Sequence, residues 1–155
     1  MWGKNHCMSF WILLTSKENW DIINKKNMWG VSKRNVKTIE RMKVGDKCLI
    51  YVRRQMIDKI VIDPKIVAEY QIVSEVYYDE TKIFKSPFKF GLNEIFPYRI
   101  KIKKIKDFQT PIDFKLLVPS LLFIKNKTIW SSHLQGCPMK EITESDYNII
   151  LTKGM

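Results

Sequence analysis

The sequence predicts an α+β fold: a small, strongly curved, mostly antiparallel β-barrel of about five or six strands with short flanking helices. Three observations predict it. The strand-like segments are short and unevenly spaced, which fits neither βαβ winding nor a sandwich. Two of them, Lys65–Val76 and Tyr98–Ile105, alternate apolar and polar residues as half-buried antiparallel strands do. Finally, 155 residues with 45 % hydrophobic side chains suffice for one core, and no linker, repeat or low-complexity tract divides them. Residues 1–8 read as an N-terminal extension and residues 9–155 as a single domain.

Taken in order, Ser9–Thr15 (SFWILLT) is continuously apolar, as expected of a strand buried on both faces. Thr15 and Glu18 form a candidate capping box, and a helix follows to about Lys26, with Trp20 as a core residue and Lys25 and Lys26 suiting its C-terminal dipole. A short helix is expected over Asn35–Met42, with Val36, Ile39 and Met42 on one face. Val44–Asp46 reads as a turn into strand Lys47–Arg53, and Arg54–Asp63 as a polar loop. In Lys65–Val76 the residues Ile66, Ala68, Tyr70 and Ile72 fall on one face. Tyr77–Phe96 lacks periodicity and carries Phe84, Phe88, Phe90 and Phe96, so it reads as a long functional loop or lid. In Tyr98–Ile105 the alternation puts Arg99, Lys101 and Lys103 on the wet face. Helical fragments broken at Pro119, a closing strand Pro138–Ile142 and a terminal helix opened by Thr143 complete the chain.

Charge and cysteine usage narrow the function classes. The formal net charge is +11 and the sequence pI about 9.6, which points to polyanions and first to nucleic acid. Cys7, Cys48 and Cys137 include no CxxC pair, so a disulfide framework is not expected and a reducing, cytoplasmic setting is. His133 and Cys137, with His6 and Cys7, lack a recognised zinc spacing, and no metal or cofactor is called for. No apolar run approaches the ~20 residues that span a bilayer, so no membrane partner is expected. The chain is expected to be a monomer or weak homodimer. No GxSxG, HExxH or glycine-rich phosphate loop occurs, and no catalytic residue is assigned.

The segment from Asn27 to Arg53 is the most informative. It places Trp29 beside Gly30, Val31 and Ser32, and from Lys25 to Arg54 ten cations face only Glu40 and Asp46. An aromatic wall embedded in positive charge suits a nucleobase and its phosphates. A core tryptophan beneath a solvated basic face is the alternative.

The segments FWILLTSKENW, MWGVSKRNVKTIERMKVGDKCLIYV, PKIVAEYQIVSEVYYD, YRIKIKKI and FIKNKTIWSSHL, in this order, resemble the EVE domain family over nearly the whole chain from Met8. The Trp-Gly-Val to Met-Lys-x-Gly-Asp block carries most of the specificity. The resemblance implies a PUA-like barrel, shared with PUA, ASCH and YTH domains, and a binding module for a modified base. In YTH relatives a methylated base is flipped into an aromatic cage. By that resemblance Trp29 matches a cage wall, Ser16 a pocket serine, and Gly30–Asn35 the loop that meets the base edge. YTH cages take further tryptophans from the loop after the long strand. Here that loop offers Phe84, Phe88, Phe90, Phe96 and Tyr98 instead, which leaves the bound base open.

The expected ligand-binding set is thus Trp29, Gly30, Val31, Ser32, Asn35, Ser16, Tyr98 and Trp130, with Lys33, Arg34, Lys37 and Arg53 on phosphates. Trp130 is open between pocket and core. The partner would be RNA or single-stranded DNA carrying the modified base. As a pocket wall, Trp29 is expected to support stability less than Trp20 does. Two other classes stand beside this one. A hydrolase acting on modified nucleosides, as among ASCH relatives, would look to Lys17 and Glu18. A protein-binding scaffold would need no ligand at all.

Overall fold

The computed structural model describes residues 8–85 and 95–154. Phe88 and Phe90, like His6 and Cys7, lie outside the described residues. Strand β1 (Phe10–Thr15) is central, pairing in parallel with β3 (Lys47–Val52) and antiparallel with β9 (Met139–Ile142). Its buried pattern follows from that place: a strand flanked on both edges and covered on both faces needs apolar residues at successive positions. From β3 the sheet continues through β6 (Lys65–Ile72) and β8 (Tyr98–Asp113) to β2 (Met28–Val31), giving the order β2-β8-β6-β3-β1-β9, and the short β7 (Tyr77–Tyr78) also pairs with β8. Apart from β1 with β3, the pairings among described residues are antiparallel. The sheet curls strongly into a half-barrel.

That curl is visible in the register. The β6–β8 ladder shifts between Ile66 and Ala68 and again between Glu69 and Tyr70, and the β3–β6 ladder shifts between Ile50 and Tyr51. Such bulges bend a strand and sharpen its twist, so the long β8 can wrap around β6. They also correct the expected face of β6. Ala68, Tyr70 and Ile72 enter one core cluster while Ile66 enters the other, because Val67 is the extra residue that flips the alternation.

Among the described residues three α-helices flank the sheet: α1 (Lys17–Lys26), the one-turn α2 (Val36–Ile39) and α3 (Glu144–Lys153). The cap of α1 is Ser16 and not Thr15, since Thr15 is still paired with Val52 in the ladder, and Asn19 N–H donates to Ser16 Oγ at 3.2 Å. Thr143 caps α3 as expected, accepting from Asp146 N–H at 3.1 Å. The predicted Asn35–Met42 helix is shorter, a 3-10 turn over Lys33–Asn35 leading into α2, but Ile39 and Met42 are buried as its spacing required. The predicted polar loop is instead a hairpin, β4 (Gln55–Ile57) and β5 (Ile60–Ile62), turning through Asp58 and Lys59. Strand β8 runs eight residues past the expected end, to Asp113.

Apolar cores lie on both faces of the sheet. The first gathers Trp11, Leu13, Trp20, Ile23, Trp29, Val31, Tyr70 and Ile100 beneath α1 and β2. The second gathers Ile12, Leu14, Tyr51, Phe108, Phe114, Tyr147 and Ile150 beneath α3. In the turn before β3, the buried Asp46 carboxylate accepts from Ser9 N–H, Lys43 N–H and Trp11 Nε1–H, at 3.0, 3.0 and 3.1 Å. Among the described residues no helix is long and apolar enough to cross a membrane.

Candidate nucleic-acid site

After α1 the chain reverses at Asn27, whose φ of 57° is left-handed, and enters β2. This strand pairs antiparallel with the start of β8: Trp29 opposite Ile100, Gly30 opposite Arg99 and Val31 opposite Tyr98. Trp29 is therefore not a loop residue. It is 4 % exposed, as deep as Trp20 at 8 %, and belongs to the first core cluster. The expectation that Trp29 carries less of the fold than Trp20 does not follow from that burial.

The ring, like Tyr70 in the same cluster, carries a buried polar atom that is left over. Its Nε1–H is buried without a hydrogen-bond partner, and so is Ser32 Oγ just beyond the strand. Ser32 has the backbone of a helix cap, φ −78° and ψ 169°, yet its hydroxyl makes no cap bond; only its carbonyl is used, accepting from Asn35 N–H at 3.0 Å. Two polar atoms thus sit within one short segment, each withdrawn from water. A buried donor left unpaired costs about 1–3 kcal/mol, so an arrangement that keeps two of them is one that another molecule's acceptors can stabilise.

Gly30 between them is required by close approach. A Cβ there would meet Phe96 O at 2.7 Å and Phe84 Cε2 at 2.9 Å. The described parts of the long loop are folded onto β2 at this point. Arg99 holds them. Its fully buried guanidinium donates from Nε to Phe96 O at 3.0 Å and from one terminal nitrogen to Thr81 O at 2.5 Å and Ile95 O at 3.0 Å. Its other terminal nitrogen faces Asp79 at 3.5 Å, and its carbon lies 5.3 Å from the Phe84 ring. Hydrogen bonds from Thr81, with Arg99 adding to them, hold the Asp79 carboxyl below its usual range. Alternation alone put Arg99 on the wet face; β2 and the loop cover that position, and the five donors of the planar guanidinium fork can satisfy three carbonyls and still face Asp79. Lys101 and Lys103 are exposed as expected.

Ser16 reaches the same neighbourhood through Asn19. Asn19 Nδ2–H donates to Lys85 O at 2.9 Å and Lys85 N–H donates to Asn19 Oδ1 at 2.7 Å, which ties the first turn of α1 to the residue after Phe84. Tyr98 is half-buried and meets Tyr78 edge-on, ring centres 5.3 Å apart. Asn35 is half-buried at the end of the 3-10 turn, and Lys33, Arg34 and Lys37 are exposed along the segment that leaves β2. Trp29, Gly30, Val31, Ser32 and Asn35 thus follow one another along β2 and the turn after it, Tyr98 pairs with Val31, and Ser16 caps the helix that precedes them. Sequence reasoning missed Asn19 and Arg99. A polar Asn in the first turn of an otherwise capped helix was the available signal for Asn19.

Two expected members are engaged differently from the expectation. Trp130 is half-buried and packs against the second core cluster, its ring 5.6 Å from Phe114, on the opposite face of the sheet from Trp29. Arg53 is half-buried and donates to Cys137 O at 3.2 Å, and burial lowers its pKa. Lys17 pairs with Asp21 at 2.5 Å on the surface of α1, and Glu18 is exposed. His133 Nε2 accepts from Asn126 N–H at 3.1 Å while the Cys137 thiol donates to Met139 O, and among the described residues no group of three His, Cys, Asp or Glu could hold a metal.

A strongly curled, mostly antiparallel sheet with a short helix after its first strand and a loop folded over its β2 edge defines a PUA-like α+β domain. The chain belongs to the EVE domain family, whose model matches residues 9–153. It is 45 % identical over 143 residues to a UPF0310 protein of Pyrococcus abyssi, covering 92 % of this chain and 97 % of that one. A UPF0310 protein of Pyrococcus horikoshii is 47 % identical over 145 residues, with the same coverage. Among solved structures, human THYN1 in complex with DNA containing 5-methylcytosine superposes with a TM-score of 0.62 at 15 % identity, covering 94 % of this chain and 97 % of that one. The Pho92 YTH domain in complex with m6A also reaches 0.62, at 14 % identity, covering 94 % and 82 %. At those identities the superpositions establish the fold.

Proposed function

We propose that this protein reads a modified base in a nucleic acid, taking the base out of its stack into the site beside Trp29, and does so without catalysing a reaction on it. The buried, unpartnered Trp29 Nε1–H and Ser32 Oγ carry the reading: one polar group is on the ring that the family resemblance matches to a cage wall and the other is in the loop it matches to the base edge. Family membership supports it, as do the ligands of the two structural neighbours, a methylated cytosine in DNA and a methylated adenine. In this reading Trp29 forms one wall, an aromatic of the segment from Phe84 to Tyr98 closes the far side of the base, and Lys33, Arg34 and Lys37 hold the flanking phosphates, repaying the few kcal/mol of unstacking.

The test uses Ser32→Ala. Removing a buried hydroxyl that bonds to nothing should leave the melting temperature unchanged or higher, because no bond is lost and a desolvated group is removed. Binding to oligonucleotides carrying 5-methylcytosine or N6-methyladenine should fall by about two- to tenfold, the worth of one hydrogen bond. Equal affinity of the wild type for modified and unmodified strands would overturn the reading.

A further inference from the structure

Strand β8 carries a second cationic surface, on the face of the sheet opposite Trp29. Lys47, Gln71 and Lys103 are successive cross-strand partners on β3, β6 and β8, so their side chains share one face. Lys101 lies two residues along β8 on that same face, and Lys106, past the bulge, pairs with Glu69. Glu69 fixes which face this is, because it accepts from the Tyr147 hydroxyl of α3 at 2.6 Å. Helix α3 covers Glu69, yet Lys101, Lys103 and Lys106 are exposed and Lys47 is half-buried. Among the described residues none of these four ammonium groups has an ion-pair partner. Their neighbours differ: Lys104 pairs with Asp107 at 3.0 Å and Lys65 with Asp113 at 3.9 Å. Like charges gathered on one face repel one another, and they gain by displacing the counterions of a polyanion.

Resting on the nucleic-acid reading above, we propose that this surface is a second contact, indifferent to base: Lys101, Lys103 and Lys106, with Lys47 beside them, hold the sugar-phosphate backbone of the strand that runs on from the nucleotide near Trp29. The register makes the two surfaces continuous. Trp29 pairs with Ile100 and Met28 with Lys101, so the cations begin one residue along β8 from the base site and lead away from it. Same-face residues of a strand are about 7 Å apart, close to the step between successive phosphates of an extended single strand. The two surfaces lie on opposite faces, and β2 ends the sheet beside β8, so a strand that occupies both must pass around β2. A very short oligonucleotide would reach the base site alone.

That length requirement supplies the test. Single-stranded DNA of about three and about fifteen nucleotides, each with a central 5-methylcytosine, and the longer strand with plain cytosine are titrated at several salt concentrations. The wild type is compared with Lys101→Gln/Lys103→Gln/Lys106→Gln, whose fold is checked by circular dichroism and melting. The variant should bind the longer strand about tenfold or more weakly at low salt, with its slope of log affinity against log salt shallower by about 2. It should bind the shorter strand within about twofold of the wild type and keep the same preference for the methylated base. A wild type indifferent to the methyl group, with this length-dependent loss intact, would remove the modified-base reading and leave the surface standing. Equal losses on short and long strands would overturn the surface, since the lysines would then act only through the general field of the protein. Unchanged affinity and slope would overturn it too. So would a wild type that binds neither strand, or one whose three lysines are needed only for vesicles of phosphatidylserine and phosphatidylcholine.

Discussion

Among the described residues on the α3 face of the sheet, the buried polar side chains have partners. Tyr147 O–H donates to Glu69 at 2.6 Å, and Asp146 accepts from Leu122 and Phe123 N–H at 2.8 and 3.0 Å. On the α1 and β2 face, Trp29 Nε1, Ser32 Oγ and Tyr70 Oη have none, although Asp46 on that face is fully satisfied. The difference lies in where hydrogen-bonding capacity is left over, and a face that only had to be stable would not leave it. Burial identifies the core on both faces; the unpaired polar groups distinguish one face from the other.

The largest expected effect blurs the contrast in packing. Trp29→Ala should cost about 3–5 kcal/mol in denaturant unfolding, as much as Trp20→Ala, because both rings fill the first cluster. A loss under half that size would show that Trp29 is packed more loosely than its burial suggests. Next in size, Tyr147→Phe strands the buried Glu69 carboxylate and should cost about 1.5–3 kcal/mol by the same measurement. Its counterpart Tyr70→Phe removes a hydroxyl that bonds to nothing and should be neutral or stabilising by up to about 1 kcal/mol. Two Tyr→Phe changes of the same sign would erase the distinction between the faces.

Alkali affects both faces together. Burial pushes the Tyr51 phenol up to about 12, though Arg53 opposes it; burial, then Glu69, raises Tyr147, and burial, then Asp107, raises Tyr70. An unfolded tyrosine releases its proton near about pH 10. Between pH 10 and 12 the folded chain holds protons that the unfolded chain has lost, so these groups contribute fully below pH 10 and stability falls as pH rises. Urea midpoints at pH 8, 10 and 11 should decline through that window, and a flat profile would contradict the burial of these phenols.

What the sequence revealed follows from how local each signal is. Strand β1, the cap at Thr143, the turn at Asp46 and the burial of Trp20 are written in a few adjacent residues, and all appear in the structure. Arg99 could not be read, because its exposure depends on β2 and on a loop anchored many residues away. The split of Ile66 from Ala68 depends on a bulge that no alternation announces. Trp29 and Trp130 looked alike as lone aromatics among small polar residues. Which face of the sheet each occupies is decided by chain topology, which a local window does not contain.

The position of β1 has a consequence for how the molecule assembles. Its partner β3 emerges early, whereas β9, which closes its other edge, comes after residue 138. During synthesis the most apolar strand therefore waits through most of translation with one backbone edge unpaired, and a pairing of such sequence separation makes folding slow. The nascent chain is most vulnerable to association through β1 until β9 docks, and any truncation before Met139 would make that state permanent.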